Sequence, residues 1–172
     1  MAQRAAAQGA RHNERSSTAR HGPRLGRTED GHAVPLLANI GGVADARAAA
    51  EVGAEGIGLL RTEFLFAERA TLPDEREQTQ LYTDIIAALG PVRGPIIVRT
   101  LDAGADKPLP ALLAITGTLP DEPNPALGVR GIRLQMASGD VLDIQLRALL
   151  ATAARTRTAR TSSTVAIIGK RM

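Results

Sequence analysis

The chain predicts an α/β fold with a parallel sheet, and three observations carry that prediction. Short apolar runs alternate with helical periodicity in the order strand, helix, strand, helix, strand, long loop, helix; such alternation makes a parallel sheet with right-handed crossovers. Two of the strand runs, Gly56-Ile57-Gly58-Leu59-Leu60 and Ile96-Ile97-Val98, lead into the same dipeptide, Arg61-Thr62 and Arg99-Thr100. Finally, 172 residues that are 44% hydrophobic but only 2% aromatic are enough for one domain whose core is Ala, Leu, Ile and Val.

Residues 1–30 are rich in Arg, Ala, Ser and Gly, with Leu25 almost alone as a large aliphatic. They bury too little to offset ordering entropy and are expected to be a disordered basic arm. An organelle-targeting peptide would need an amphipathic face, which alanine does not provide. Order is expected from Gly31. Val34 to Ile40 reads as the first strand, Gly41-Gly42 as its turn, and Ala44 to Glu51 as an alanine-rich helix closed by Gly53. Gly56 to Leu60 is the second strand; its glycines weaken it and point to close approach by another backbone or a ligand. A loop with Phe64, Leu65 and Phe66 comes next.

Pro73, Asp74, Glu75 and Glu77 mark a helix start, since early acids suit the helix dipole. Its apolar face is Leu81, Ile85 and Ala88, backed by Tyr82, Ile86 and Leu89, and Gly90 ends it. Pro95 precedes the third strand, Ile96 to Thr100. A long proline-rich loop is expected from about Asp102 to Gly131. Ser138-Gly139-Asp140 caps a last helix, with Leu142, Leu146, Leu149 and Leu150 expected on its buried face. The tail 155–172 alternates Thr, Arg, Ala and Ser before Val165-Ala166-Ile167-Ile168, a run too short and isolated to assign.

The charge map excludes more than it assigns. Residues 1–30 carry six arginines against three acids, and 151–172 carry five basic residues and no acid. Residues 31–150 carry ten basic against fifteen acidic groups. Basicity therefore sits at the two ends, not in a stripe on the ordered part, which argues against a nucleic-acid footprint. Cysteine is absent, excluding disulfides and thiol chemistry. No run approaches the ~20 apolar residues of a membrane span, and no secretory signal pattern starts the chain. A soluble, cytoplasmic protein is the expectation.

Arg61 and Arg99 are the leading candidates for chemistry. Ligands of parallel α/β sheets bind at the carboxyl ends of the strands. A guanidinium is a planar fork that grips phosphate or carboxylate in two places and stays charged. The plainer reading pairs Arg61 with Glu63 and Arg99 with Asp102; two arginines at equivalent strand ends favour a ligand. Lys107, in Gly104-Ala105-Asp106-Lys107-Pro108, can bring a point charge onto a phosphate from a glycine loop. Asp102 and Asp106 have no specific metal spacing and suit basic partners better than Mg²⁺. Arg130 and Arg133 come after a turn marked by Asn124-Pro125, and extend a cationic pocket or lie on the surface. His12, His21 and His32 sit in no catalytic or metal pattern.

Three stretches are more specific. Gly56 to Phe66 (Gly-Ile-Gly-Leu-Leu-Arg-Thr-Glu-Phe-Leu-Phe), Val98 to Pro110 (Val-Arg-Thr-Leu-Asp-Ala-Gly-Ala-Asp-Lys-Pro-Leu-Pro) and Asn124 to Arg133 (Asn-Pro-Ala-Leu-Gly-Val-Arg-Gly-Ile-Arg) strongly resemble enzyme I of the sugar phosphotransferase system, the phosphoenolpyruvate–protein phosphotransferase family. Leu37 to Gly41 and Gln145 to Leu149 fit the same pattern. The likeness covers about Gly31 to Ala154. Ala105, where the family usually has a second glycine, and Ala126 and Val129, in place of aromatics, depart from it.

The resemblance implies a TIM (β/α)8 barrel that binds phosphoenolpyruvate (PEP) and Mg²⁺ and passes the phosphoryl group to a histidine on a separate domain, then to the carrier HPr. By resemblance Arg61 and Arg99 hold PEP, while Lys107 and Arg130 lie near its phosphate. About three of the eight βα units are expected in residues 31–154, as a partial PEP-binding barrel domain, and a homodimer is expected for the full-length protein. The family's metal-binding acids and proton-donating cysteine fall beyond the matched span, and its phosphohistidine motif before it. This chain alone is therefore expected to be inactive, its tail a truncated or out-of-frame end. The alternatives are a piece of another PEP-utilising enzyme such as pyruvate phosphate dikinase, or a non-catalytic fragment that associates with other barrel pieces.

Overall fold

The computed structural model describes residues 25–67, 69–105, 109–117, 123–158 and 165–168. Four strands lie in it in sequential order and all parallel: β1 (Leu37–Ile40), β2 (Gly56–Arg61), β3 (Ile96–Arg99) and β4 (Val165–Ile168). Six helices are described: α1 (Val43–Glu51), α2 (Glu63–Phe66), α3 (Glu75–Leu89), α4 (Pro110–Thr116), α5 (Gly131–Ala137) and α6 (Val141–Thr158).

The main core joins one face of the sheet to α1, α3 and α6. Ile40, Ile57, Leu60, Ile96 and Val98 meet Ala46 and Ala49 of α1, Tyr82, Ile85, Ile86 and Leu89 of α3, and Ala148 and Leu149 of α6. Leu59 and Ile97, which alternate with those strand residues, are only half-buried on the opposite face. The cause is topological: right-handed crossovers between successive neighbours all place their helices on one side. A second cluster, Phe66, Leu101, Leu109, Leu112 and Leu134, packs beyond the end of β3.

The start of α3 is a capping box. Asp74 accepts from the Glu77 amide at 2.8 Å, and the Glu77 carboxylate accepts from the Asp74 amide at 3.1 Å. Its buried stripe is Gln78, Thr79, Tyr82, Ile85, Ile86 and Leu89, with Leu81 and Ala88 at the margin. The close approach expected at Gly56 is by backbone: a Cβ there would stand 2.5 Å from the Pro95 carbonyl oxygen.

Several expectations are corrected. β1 begins at Leu37, not Val34, because the amides before it bond elsewhere: Val34 to the Gly26 carbonyl at 2.9 Å and Leu36 to the Glu55 carboxylate at 3.1 Å. The end of the expected disordered arm is ordered by the same contacts, with Arg27 and Ala33 bridged in antiparallel fashion; residues 1–24 lie outside the described residues. The long loop expected after β3 contains α4, which Pro110 opens at its first turn; α5 starts at Gly131, the expected end of that loop, where no helix is expected from the sequence. The stretch of Phe64 to Phe66 is helical. On α6 the buried residues are Gln145, Ala148, Leu149 and Thr152, and Leu150 is 63% exposed. The tail expected to be irregular instead extends α6 to Thr158 and supplies β4, whose Ala166 pairs with Ile97. No described helix is long and apolar enough to cross a membrane.

Candidate functional site

Arg61 and Arg99 are register partners at the carboxyl ends of β2 and β3. Partners across parallel strands share a face, so both side chains leave the sheet at the same rim and on the same side. The threonine after each arginine is buried. The Thr62 hydroxyl donates to the Arg99 carbonyl at 3.0 Å, tying one strand end to the other. In each Arg-Thr dipeptide the arginine lies at the rim and the threonine is buried.

Of the two local pairs that the sequence suggests, Arg99 with Asp102 is present and Arg61 with Glu63 is not. The Arg99 guanidinium donates to Glu63, and its Nη1 lies 3.4 Å from Asp102. Glu63 therefore serves Arg99, not Arg61. Asp102 also accepts from the Nε of Arg130 at 3.2 Å. Asp102 and Arg130 are both buried, at 3% and 6% exposure. One carboxylate thus holds two cations, Arg99 three residues before it and Arg130 twenty-eight residues after it. Two charged atoms in this group, Arg99 Nε and Glu63 Oε2, are buried without a hydrogen-bond partner among the described residues. An orphaned guanidinium donor at the strand rim is the kind of group an anion would satisfy.

Arg61 is exposed and makes no hydrogen bond or ion pair with a described residue. It lines a 420 Å³ hollow at the ends of β1 and β2 with Asn39, Gly42, Asp45 and Phe64. A larger cavity of 520 Å³ lies between α3, α4 and α6, walled by Phe66, Leu72, Leu101, Ile115 and Ile144. Among the described residues its charged lining is Asp74 and Asp140.

The other expected residues separate. Arg133 is exposed and donates to the carbonyls of Leu127 (3.0 Å) and Gly128, which holds the turn where Ala126 N–H meets Asn124 Oδ1 at 3.2 Å. It is a loop tie and not part of the cationic group. Lys107 and Asp106 lie outside the described residues, as do His12 and His21. His32 is exposed in a surface turn. No described group of three acids or histidines could hold a metal ion, and Glu63 and Asp102 are engaged by arginines; Mg²⁺ does not fit these carboxylates. Sequence reasoning misses Gln135, whose amide donates to the Leu101 carbonyl. It lies in α5, between the end of the expected loop at Gly131 and the Ser138 cap, a stretch for which no element is expected from the sequence.

The family model for PEP-utilising enzymes, PEP-binding domain, matches residues 15–167. The chain is 56% identical over 125 residues to a phosphoenolpyruvate-protein phosphotransferase of Streptomyces coelicolor, covering 72% of this chain and 21% of that protein. It is 49% identical over 122 residues to a multiphosphoryl transfer protein of Rhodobacter capsulatus, covering 71% and 14%. A phosphoenolpyruvate-protein phosphotransferase of Haloferax volcanii is 47% identical over 128 residues, covering 74% and 21%. The chain thus spans about a fifth or less of the length of these curated relatives. With a match across most of its length and the arginine-bearing strand ends inside that match, the chain belongs to the family of PEP-utilising enzymes, within their PEP-binding domain.

Proposed function

We propose that this chain supplies part of the PEP site of a phosphoenolpyruvate–protein phosphotransferase, and that its sheet is one part of a (β/α)8 barrel. The observation that carries the reading is the register pairing of Arg61 with Arg99 on adjacent parallel strands. PEP bears a carboxylate and a phosphate on three carbons, and two guanidinium forks at one rim suit both groups at once. Arg99 is aimed by Glu63 and Asp102, Arg130 is held beside it, and Arg61 is open to take the ligand. Lys107 adds a point charge for the phosphate.

In the reaction, the bond from phosphorus to the enol oxygen breaks, a bond to a histidine nitrogen forms, and the enolate left behind is protonated to pyruvate. The histidine belongs to another domain, which then charges HPr. The basic residues here neutralise charge on the moving phosphoryl group, which is most of what a protein contributes to this chemistry. Mg²⁺ takes its protein ligands outside the described residues. The barrel reading is supported by the sequential parallel strand order and by helices on a single face.

Titration calorimetry with PEP tests the reading. The chain binds PEP saturably, binds pyruvate and inorganic phosphate more weakly, and loses roughly tenfold or more in affinity on Arg61→Ala. Equal PEP affinity for wild type and Arg61→Ala would end it. With HPr, PEP and Mg²⁺ alone, no phosphorylated HPr is expected.

A second reading is favoured by the sheet itself. β1 and β4 are both edge strands, and the face bearing Leu59 and Ile97 has no described helix. Such edges recruit further strands, so the chain acts by joining other barrel pieces. Gel filtration with and without a complementing C-terminal barrel fragment separates this from a self-sufficient binding domain.

A further inference from the structure

We propose that Gln145 and Gln135 are positioning residues for the anion site, acting through the Leu101 peptide on Asp102 and so on Arg99 and Arg130. The proposal rests on reading the ends of β2 and β3 as the PEP site. Past the end of β3 the chain leaves the ladder: Thr100 N–H still bonds to the Ile168 carbonyl at 2.9 Å, but the next peptide has no described strand beside it. Leu101 is 2% exposed, so its amide and carbonyl must find partners inside the protein. They find two side chains. Gln145 of α6 accepts from the Leu101 amide at 2.9 Å, and Gln135 of α5 donates to the Leu101 carbonyl.

The next residue is Asp102, the carboxylate on which Arg99 and Arg130 converge. Arg130 is the N-cap of the helix that carries Gln135, and the Gly131 amide after it bonds to the Ala103 carbonyl at 2.9 Å. Two hydrogen bonds therefore staple α5 to the segment after β3, on either side of Asp102. Displacing Leu101 moves Asp102 against both of its cations.

Position 145 needs both halves of an amide. While its oxygen takes the Leu101 amide, its nitrogen donates to the Tyr82 hydroxyl at 3.1 Å. Tyr82 in turn donates to Gln78 at 3.3 Å, and Gln78 donates to the Pro73 carbonyl at 2.9 Å. Burial pushes the Tyr82 hydroxyl up to about 12, so it stays neutral and keeps both hydrogen bonds across the working pH range. The relay runs from the first turn of α3 through α6 to the arginine site, and every side chain in it is buried.

The test uses the whole chain with Gln145→Met and Gln135→Met, each removing one grip on the same peptide. Hydrogen exchange of the Arg130 Nε–H, followed by NMR, reads the ion pair directly and needs no ligand. Both variants are expected to accelerate that exchange and the exchange of the Leu101 amide by roughly tenfold or more, while Ile85→Val, a core change untied to Leu101, leaves both as in wild type. In PEP calorimetry the two Gln variants weaken binding by roughly tenfold and Ile85→Val does not. Unchanged Arg130 Nε–H exchange in folded Gln145→Met and Gln135→Met overturns the proposal. So does failure of both variants to fold, which would make the glutamines structural only. If wild type binds no PEP, the PEP reading fails, and the Arg130 exchange still decides whether the glutamines set the ion pair.

Discussion

The ends of β2 and β3 carry the same dipeptide in the same register, yet they are opposite environments. Arg99 is held between Glu63 and Asp102, with Arg130 drawn in behind. Arg61 stands exposed over a hollow, without a partner among the described residues. The contrast arises from the segment that leaves each strand. After β2 the chain turns at once into α2, whose first residue Glu63 reaches across to the neighbouring strand's arginine. After β3 it runs buried beneath α5 and α6, where charges must be paired. One motif can therefore supply a pre-aimed cation and a free one; in the proposed PEP site the aimed group would define geometry and the free group would take up the ligand.

The strongest challenge to this contrast is Asp102→Ala. It leaves the buried Arg130 without this counter-charge, and a loss of about 3–5 kcal/mol is expected, read as a lowered urea midpoint. Arg99→Ala comes second. It strips the mostly buried Glu63 of its partner and should cost about 1–3 kcal/mol by denaturant unfolding. The mirror experiment on the open side, Arg61→Ala, should shift stability by less than about 0.5 kcal/mol while weakening PEP binding most. A cost of Arg99→Ala no larger than that of Arg61→Ala would erase the distinction between the two ends. Gly56→Ala probes the other end of β2, where a Cβ would meet the Pro95 carbonyl at 2.5 Å. About 1–3 kcal/mol of overpacking is expected, again by unfolding.

The smallest effect is a pH response remote from the site. Glu55 accepts from the Gly26 amide at 2.8 Å and the Leu36 amide at 3.1 Å. These two bonds, Gly26 first, hold its carboxyl below the ordinary glutamate range. Its contribution is complete above the unfolded-state value and is lost as acid carries the pH down through the lower folded-state value. Gly26 and Leu36 amide shifts should track that titration in NMR, and Glu55→Gln should abolish it.

Much of the site is legible in the sequence because its signals are local. An arginine closing an apolar run is visible in Ile96 to Arg99, and Asp74 with Glu77 announces the start of α3 in four residues. The buried half is not legible, because its partners lie far apart in the chain. Glu63 looks like a neighbour of Arg61 and belongs to Arg99. Gln135 falls where no helix is expected, Gln145 lies off the expected apolar face of its helix, and Leu150 looks like core while it is exposed. The run Val165 to Ile168 becomes interpretable only when β3 stands beside it.

Amino-acid order alone dictated the alternation of strands and helices, the two arginine-terminated strands and the likeness to PEP-utilising enzymes, since each depends on residues within a few positions of one another. Three-dimensional packing alone selected Arg99 as the partner of Glu63, Arg130 as the second cation of Asp102, and the peptide that each glutamine grips. Those choices depend on burial, where an unpaired charge or amide is costly enough to select its partner from anywhere along the chain.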